Sequence, residues 1–235
     1  MTYCASKTKV TIVGSEVDMK YYSDVSPWKL DGQTVSVTEN NDHLGQVVSG
    51  VNQEQKNIDL RINKGRKNLF GMLGPEFAYR CLLSPLLKVH LFRTYTCPIL
   101  RSGLYSFSVR TIDLQPLTIF HRKTLRGILT LSKTSNILAL HFLLGELPME
   151  AKIHRDVFSL FFCVWSNPQS KIYKIVKYLL ENSPENSRTW AIHLRNLSTK
   201  YGLPDPLECL KSDPLQRFTI RRGSKLKYAP IMKMN

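Results

Sequence analysis

This sequence has few acidic residues and no long apolar run, and both shortages limit what the chain can be. Its 235 residues include 18 Asp and Glu against 33 Lys and Arg, which gives a formal net charge of +15. A charge of this size needs a polyanionic partner or a well-solvated surface, and nucleic acid is the commonest such partner. The longest apolar stretch, Phe158 to Trp165, is far shorter than the roughly 18 residues of a membrane-spanning helix. We therefore expect no membrane partner.

Cysteine pairs and a secretion signal are also missing. The five cysteines are widely spaced, and none forms a C-x-x-C pair of the kind that binds zinc or carries redox chemistry. The first residues, MTYCASKTKV, are interrupted by Lys7 and Lys9 and do not form the continuous apolar core of a signal peptide. These features predict reduced thiols and an intracellular protein, nuclear or cytoplasmic, that is not secreted.

The local motifs of common enzymes do not occur. The chain contains no G-x-S-x-G, no phosphate-binding P-loop, no G-x-G-x-x-G and no H-E-x-x-H. No two of its six histidines are four residues apart, so a helical pair of metal ligands is not expected. No Asp-Asp pair occurs either, and a two-metal site of the polymerase or nuclease type has no local source. The sequence therefore predicts no catalytic residue, no metal ligand and no cofactor in this chain.

The apolar pattern divides the chain into a short β-rich part and a long helical part. Apolar and polar residues alternate in KTKVTIVG, TVSV and HLGQVVSG, which predicts a small antiparallel β unit closed by a hairpin at Asn40 to Asp42. From Asn52 the apolar period changes to about 3.6, which predicts helices. Ser84-Pro85 is typical of a helix start, with Ser as the N-cap and Pro at the first helical position. We predict a mainly α fold with a small N-terminal β unit, of the α+β class.

Composition suggests a division into four segments. The β unit covers residues 1–50, strongly basic helices cover residues 51–132, helices with larger apolar surfaces cover residues 133–212, and a basic tail covers residues 213–235.

The basic helices are the strongest signal of function in the sequence. Between Asn52 and Thr130, thirteen Lys and Arg stand against four Asp and Glu. Cations gathered on one surface would bind phosphates, although charged helix faces are usually only solvated. The cluster Lys64-Gly65-Arg66-Lys67 favours binding, because Gly65 lowers side-chain cover and allows another backbone to approach.

The order of the segments resembles the C-terminal part of reverse transcriptases from non-long-terminal-repeat retrotransposons. The matching segments, in chain order, are SKTKVTI, LDGQTVSVTENNDHLGQVVSG, NQEQKNIDLRINKGRKNLFGMLG, LSPLLKVHLFRTYTCPILRSGLYSF, LTIFHRKTLRGILTLS and LLGELPMEAKIHRDVFSLF. Their order and spacing, from about Lys7 to about Pro214, carry the resemblance. It implies the end of the palm with the primer grip, a helical thumb-like bundle and a C-terminal helical region.

The same resemblance implies nucleic-acid-binding roles for particular residues. Lys7 would lie near the phosphates of the nucleotide, and His43, Leu44 and Gly45 would form the primer-grip hairpin. The helices from 52 to 132 would form the thumb along the template–primer duplex. Together with the charge pattern, the resemblance predicts phosphate contacts at Lys56, Arg61, Lys64, Arg66, Lys67, Arg122, Lys123 and Arg126.

The family is an RNA-directed DNA polymerase, but the carboxylates that bind its Mg²⁺ are not found in this chain. In the family they precede the Lys-Thr pair that matches Lys7-Thr8, and this chain begins six residues before that pair. We therefore expect a fragment that binds an RNA or RNA–DNA template–primer duplex and does not polymerise alone. The absent palm and fingers would be its further partners, and Mg²⁺ would belong to the complete enzyme.

A different class of function stays open. In this alternative the chain is a helical protein-interaction module, or a domesticated retroelement remnant without a nucleic-acid role, and the aromatic helix around Phe158 to Trp165 docks a protein partner. Aromatic residues at helical spacing are more often core than interface. An enzyme of an unrelated class would need an acid, a base and a nucleophile that converge in the helical half.

Overall fold

The computed structural model describes residues 8–12, 20–22, 28–30, 32–50, 52–79 and 84–211. Lys7 and the basic tail at 213–235 therefore lie outside the described residues. Contacts divide the chain into two compact units, Met1–Leu60 and Arg61–Asn235. The described residues are mostly helical with a few short strands, which confirms the prediction of a mainly α fold.

The strands of the first unit are short and lie in three separate pairs. They are β1 (Lys9–Val10) parallel to β4 (Ser36–Val37), β2 (Lys29–Leu30) antiparallel to β3 (Gln33–Thr34), and β5 (Asn40–His43) antiparallel to β6 (Gln46–Ser49). The parallel pair departs from the purely antiparallel unit that the sequence predicts. Alternation of apolar and polar residues indicates a strand but not the direction of its partner, which explains the difference.

The hairpin turns at Leu44-Gly45 and not at Asn40 to Asp42. Leu44 and Gly45 have φ values of 49° and 76°, and positive φ at both central residues is what a type I′ turn requires. Asn40, Asn41 and Asp42 pair with β6 instead, although they are common turn formers. The predicted position of the turn was therefore wrong by a few residues.

The helices follow one another from the end of the β unit to the end of the described chain. In order they are α1 (Gln53–Tyr79), α2 (Pro85–Leu91), α3 (Cys97–Arg101), α4 (Gln115–Ile128), α5 (Ile137–Leu144), α6 (Met149–Trp165), α7 (Lys171–Asn182), α8 (Trp190–Lys200) and α9 (Pro206–Lys211). The start of α2 is confirmed, because Ser84 Oγ accepts a 3.3 Å hydrogen bond from the N–H of Leu87. A π-helical turn at Phe92–Thr96 joins α2 to α3.

The core at the C-terminal side of the second unit is built on the aromatic face of α6. Phe158, Phe161 and Trp165 are 4%, 3% and 2% exposed. They pack against apolar residues of α7, α8 and α9. These aromatic side chains belong to the core, so the docking surface expected around Phe158 to Trp165 is not available there.

Gly65 lies on the packed side of α1 and not on an open face. A Cβ atom added at Gly65 would lie 2.4 Å from Cδ2 of Leu100 and 3.6 Å from Cε1 of Phe120. Leu100 is fully buried and has little room to move away. The glycine therefore allows α1 to approach α3 and α4 closely, which replaces its predicted role in admitting a nucleic-acid backbone.

Gly65→Ala is expected to lower the free energy of unfolding by about 1 kcal/mol, because overpacking costs about 1 to 3 kcal/mol and outweighs the helix-propensity gain of about 1 kcal/mol. Gly71, on the exposed side of the same helix, is the matched control, since an added Cβ atom meets nothing within 4 Å. Gly71→Ala should raise the free energy of unfolding by about 0.5 to 1 kcal/mol. Urea unfolding followed by circular dichroism measures both values, and stabilisation by both substitutions would contradict the packing role of Gly65.

Candidate functional site

Three of the cations predicted to bind phosphate on the second-unit part of α1 are exposed, and a fourth is buried. Lys64, Arg66 and Lys67 are exposed, whereas Arg61 is only 6% exposed. Burial lowers the pKa of the Arg61 guanidinium. A buried guanidinium cannot contact an external phosphate unless the structure rearranges, so we do not expect Arg61 to bind phosphate.

The three predicted cations of α4 differ in their exposure. Lys123 is exposed, whereas Arg122 and Arg126 are half-buried. Arg126 Nη2 donates a 2.8 Å hydrogen bond to the carbonyl oxygen of Ser135, which ties the loop after α4 to the helix. Lys123 is therefore the α4 residue best placed to reach a ligand in solvent.

A contact between Arg66 and Phe120 brings α1 and α4 together in the second unit. Arg66 Cζ lies 5.7 Å from the centre of the Phe120 ring, a separation typical of a cation–π contact. Phe120 and Lys123 are three residues apart and so share a face of α4. We call Lys64, Arg66, Lys67 and Lys123 the basic face. Among the described residues, no ion pair involves any of the four.

The predicted primer-grip residues form the tip of the β5–β6 hairpin in the first unit. His43 and Gly45 are exposed, and Leu44 is 90% exposed. The φ of 49° at Leu44 lies in the left-handed region, which costs a residue with a side chain about 1 kcal/mol or more. A strained apolar residue fully in water does not help the chain to fold. Backbone strain of this kind clusters at functional sites.

Lys56 has a structural role beside this hairpin. Its Nζ donates hydrogen bonds to Asn40 Oδ1 at 2.7 Å and to Ser49 Oγ at 2.8 Å. The neighbouring Asn57 is fully buried, and its side chain donates to the carbonyl oxygen of Val47 and accepts from the N–H of Val47. Both residues tie the start of α1 to the hairpin and so fix the direction of its tip within the first unit.

A buried polar cluster, which sequence reasoning missed, lies in the second unit. Glu146 is 3% exposed; Arg93 Nε donates to its Oε2 at 2.8 Å, and Lys152 Nζ contacts its Oε1. Cys97 Sγ and His121 Nε2 lie 3.9 Å and 3.7 Å from the same Oε1. We call Cys97, His121, Glu146 and Lys152 the Glu146 cluster.

Four separate elements supply the Glu146 cluster. Cys97 is the first residue of α3, His121 lies in the middle of α4, and Lys152 lies in the first turn of α6. Glu146 follows Gly145, which ends α5 in the left-handed conformation with φ 57°. Members as far apart as 55 residues meet here. No local spacing in the sequence signals such a cluster, since only the packing of the helices creates it.

Burial shifts the pKa values of the titratable groups around Glu146. Burial lowers the pKa of Lys152 to about 8, and the nearby Cys97 opposes this change. Burial raises the pKa of the Cys97 thiol, which keeps its proton at neutral pH. Burial also lowers the pKa of His121 well below its ordinary value and that of His141 to about 4, so both imidazoles are neutral. The Glu146 carboxylate therefore faces two cations, a neutral thiol and a neutral imidazole.

His121 is held in place but lacks hydrogen bonds among the described residues. It is fully buried, and neither of its ring nitrogens has a hydrogen-bond partner there. Its ring stacks on His141 with the two centroids 5.7 Å apart. The Nδ1–H of His141 donates a 2.9 Å hydrogen bond to the carbonyl oxygen of Glu146, which orients the Glu146 loop. Buried polar groups without partners are rare and costly in folded proteins.

Solvent reaches the Glu146 cluster from one side. A cleft of about 350 Å³ is lined by Cys97, Glu146 and Lys152 together with Arg93, Arg101 and Arg155. Arg101 Nη1 donates to both oxygens of Asp156 at 2.8 Å and 2.6 Å. The arginines around the cleft are thus engaged with carboxylates, and the opening leads directly to the buried thiol and carboxylate.

Comparison with known proteins identifies no relative. Models of protein families, curated proteins and solved structures give no significant match to this chain. Among the described residues, no helix is both long and apolar enough to span a membrane.

Glu146→Gln is expected to lower the free energy of unfolding by about 3 kcal/mol, because it leaves the buried Lys152 ammonium without its counter-ion. Asp156→Asn is the matched control, since the same chemical change at the half-buried pair with Arg101 should cost about 1 kcal/mol or less. Urea denaturation of the two variants beside the wild type gives both values. Equal losses would show that the buried carboxylate has no special weight in the fold.

Proposed function

We propose that this chain binds duplex nucleic acid through its phosphates, as the thumb-like part of a protein related to the reverse transcriptases of non-long-terminal-repeat retrotransposons. The proposed ligand is an RNA or RNA–DNA template–primer duplex. Phosphate contacts fix the position of a duplex without reading its bases, so binding is tolerant of sequence. The basic helical bundle supports the proposal by its exposed cations, and the β5–β6 hairpin supports it by its exposed tip.

The basic face joins two chain segments that contain no acidic residue, and this is the observation that carries the proposal. Residues 60–75 and 114–145 contain no Asp or Glu, and the Arg66–Phe120 contact brings the two segments together. Elsewhere in the second unit, arginines that connect elements pair with carboxylates, as Arg93 does with Glu146. Cations without local carboxylates repel one another, and an external polyanion relieves that repulsion.

The number of exposed cations sets the expected strength of the salt effect. Each neutralised phosphate contributes about −0.9 to the slope of log affinity against log salt for a duplex. Four contacts, one for each residue of the basic face, give a slope of about −3.6. Affinity should then fall by roughly 150-fold between about 50 mM and about 200 mM salt.

The hairpin tip is the proposed contact for the end of the primer strand. Leu44 projects into solvent with its backbone in the left-handed region, and His43 precedes it on β5. An exposed apolar side chain beside an imidazole suits a sugar or base at a strand end better than it suits water. Lys56 and Asn57 hold the base of this hairpin, which keeps the tip in a defined orientation within its unit.

We expect that this chain does not polymerise nucleotides on its own. Nucleotide transfer needs Mg²⁺ ions held by carboxylates, which bind the attacking and leaving oxygens. Among the described residues, the one group of three or more possible metal ligands is Cys97, His121 and Glu146. A thiol and an imidazole do not suit Mg²⁺, which prefers oxygen ligands. These three residues therefore do not fit the Mg²⁺ ions of the polymerase family.

Reversing the charges of Lys64, Arg66 and Lys67 to Glu should abolish binding of a short RNA–DNA duplex at moderate salt, because three attractive contacts become repulsive. The matched control reverses Lys171, Lys174 and Lys177 of α7 to Glu, which makes the same change in net charge on another helix. Fluorescence anisotropy at several salt concentrations measures the affinity and the salt slope of each variant.

The wild type and the α7 variant should show a steep slope near −3.6, with the α7 variant less than about tenfold weaker. Equal weakening by both triple variants would mean that net charge alone attracts the duplex. An affinity of the wild type that does not change with salt would show that the chain makes no phosphate contacts with the duplex.

A second candidate function, protein interaction, is favoured by the exposed apolar side chains of α5. Leu138, Phe142 and Leu143 are 73%, 67% and 77% exposed on a helix of only eight residues. This exposed apolar surface replaces the buried aromatic face of α6 as the place for a protein partner. A second copy of the chain is the simplest partner to test.

Under this second candidate the chain self-associates through α5. Replacing Phe142 and Leu143 with Ser should then lower the sedimentation coefficient at high protein concentration to that of the monomer, since the apolar contact is lost. The triple variant of the basic face should sediment as the wild type does. A wild type that remains monomeric at every concentration would eliminate this candidate in the form stated.

A further inference from the structure

The Glu146 cluster contains three metal-ligand atoms of different kinds within reach of one centre. One ligand atom each from Cys97, His121 and Glu146 lie within 4.8 Å of one another. Glu146 Oε1 is 3.9 Å from Cys97 Sγ and 3.7 Å from His121 Nε2. Ligand atoms around a tetrahedral zinc ion, with bonds of about 2.0 to 2.3 Å, are separated by about 3.3 to 3.8 Å. The two distances from Glu146 Oε1 are within a few tenths of an ångström of these values. The ligand atoms of Cys97 and His121, which lie within 4.8 Å of each other, would approach by up to about 1 Å on coordination.

His121 supplies an independent reason to expect a ligand here. The ring is fully buried, and its two nitrogens have no hydrogen-bond partner among the described residues. Nε2 is directed toward the Glu146 carboxylate but lies too far away for a hydrogen bond. The stacked ring of His141 prevents His121 from turning freely to another partner. A metal ion bound to Nε2 would satisfy this atom.

We propose that Cys97, His121 and Glu146 form a binding site for a zinc-class divalent ion, and that the Lys152 ammonium takes the place of that ion when no metal is bound. The proposal is independent of nucleic-acid binding, because the site lies in the packed interior and involves no residue of the basic face.

The position of Lys152 supports the second half of the proposal. Its Nζ contacts Oε1 of Glu146 and lies 3.7 Å from Sγ of Cys97, which are two of the three proposed ligand atoms. An ammonium and a metal ion cannot both occupy that space. A buried carboxylate needs a cation beside it, and Lys152 provides one. Lys152 also lines the open cleft, so its ammonium can move into solvent when a metal ion enters.

Binding of the metal ion releases one proton from the protein. The Cys97 thiol loses its proton to solvent and forms the bond from sulfur to the metal ion, while His121 and Glu146 donate lone pairs without losing protons. Three protein ligands leave a fourth position, which a water molecule would take. Sulfur and nitrogen ligands select zinc or cobalt over magnesium and calcium.

Titration of the full chain, free of any affinity tag, with Co²⁺ tests the site directly. A thiolate bound to Co²⁺ gives a charge-transfer absorption that Zn²⁺ then removes. We expect this band in the wild type and in Cys209→Ala, which changes a buried cysteine of α9 that belongs to the core around α6 and not to the Glu146 cluster. Cys97→Ala should lose the band, because it removes the thiolate. His121→Gln should bind Co²⁺ at least about tenfold more weakly, because it removes one of the three ligands.

Lys152→Met separates the loss of a ligand from unfolding, because the proposal predicts tighter Co²⁺ binding for this variant and an unfolded chain would bind more weakly. Removing the competing ammonium should tighten Co²⁺ binding at least about tenfold, while His154→Gln, a change at a buried histidine outside the cluster, should leave the affinity unchanged. Circular dichroism confirms that each variant is folded. Absence of the band in both the wild type and a folded Lys152→Met would overturn the proposal. Equal affinity in Cys97→Ala and the wild type, or weaker binding by a folded Lys152→Met, would overturn it as well.

Discussion

The second unit depends on one buried carboxylate. Glu146 accepts a hydrogen bond from Arg93, contacts Lys152 and faces Cys97 and His121, so it connects the segment of α2 and α3 with α4 and α6. An unpaired charge in such an environment would cost several kcal/mol. The helices must therefore keep the arrangement that brings cations to Glu146.

The cations of the second unit are of two kinds, those that pair with a carboxylate of another element and those that do not. Arg93, Arg101 and Lys152 are used to pair with carboxylates between elements. Lys64, Arg66, Lys67 and Lys123 lie in two segments of the sequence that contain no acidic residue, and the Arg66–Phe120 contact connects their helices. Cations of the first kind stabilise the fold, and cations of the second kind are available to a polyanion. Some of the cations behind the net charge of +15 are thus paired within the fold, and the four cations of the basic face take part in no ion pair among the described residues.

Local features of the fold were predictable from sequence, and features made by packing were not. The Ser84-Pro85 helix start follows from capping chemistry within a few residues, and the change of apolar period at about residue 52 marks the start of α1. The packing role of Gly65 is not predictable from local sequence, because the side chain that needs the space, Leu100, lies 35 residues away along the chain. Burial of Arg61 could not be read from its charge. The Glu146 cluster has no signal in sequence because its members come from four elements.

If a duplex lies against the basic face, it should protect backbone amides of α1 and α4 from exchange with solvent, and hydrogen exchange followed by mass spectrometry measures that protection. Amide exchange is measured for the chain alone and with a saturating RNA–DNA duplex at low salt. We predict that protection increases in peptides covering residues 63–72 of α1 and 118–127 of α4, and that peptides of α7 and α8 are unchanged. Protection confined to α5 or α7, or no change in α1 and α4 while the duplex is bound, would show that the duplex does not lie against the basic face.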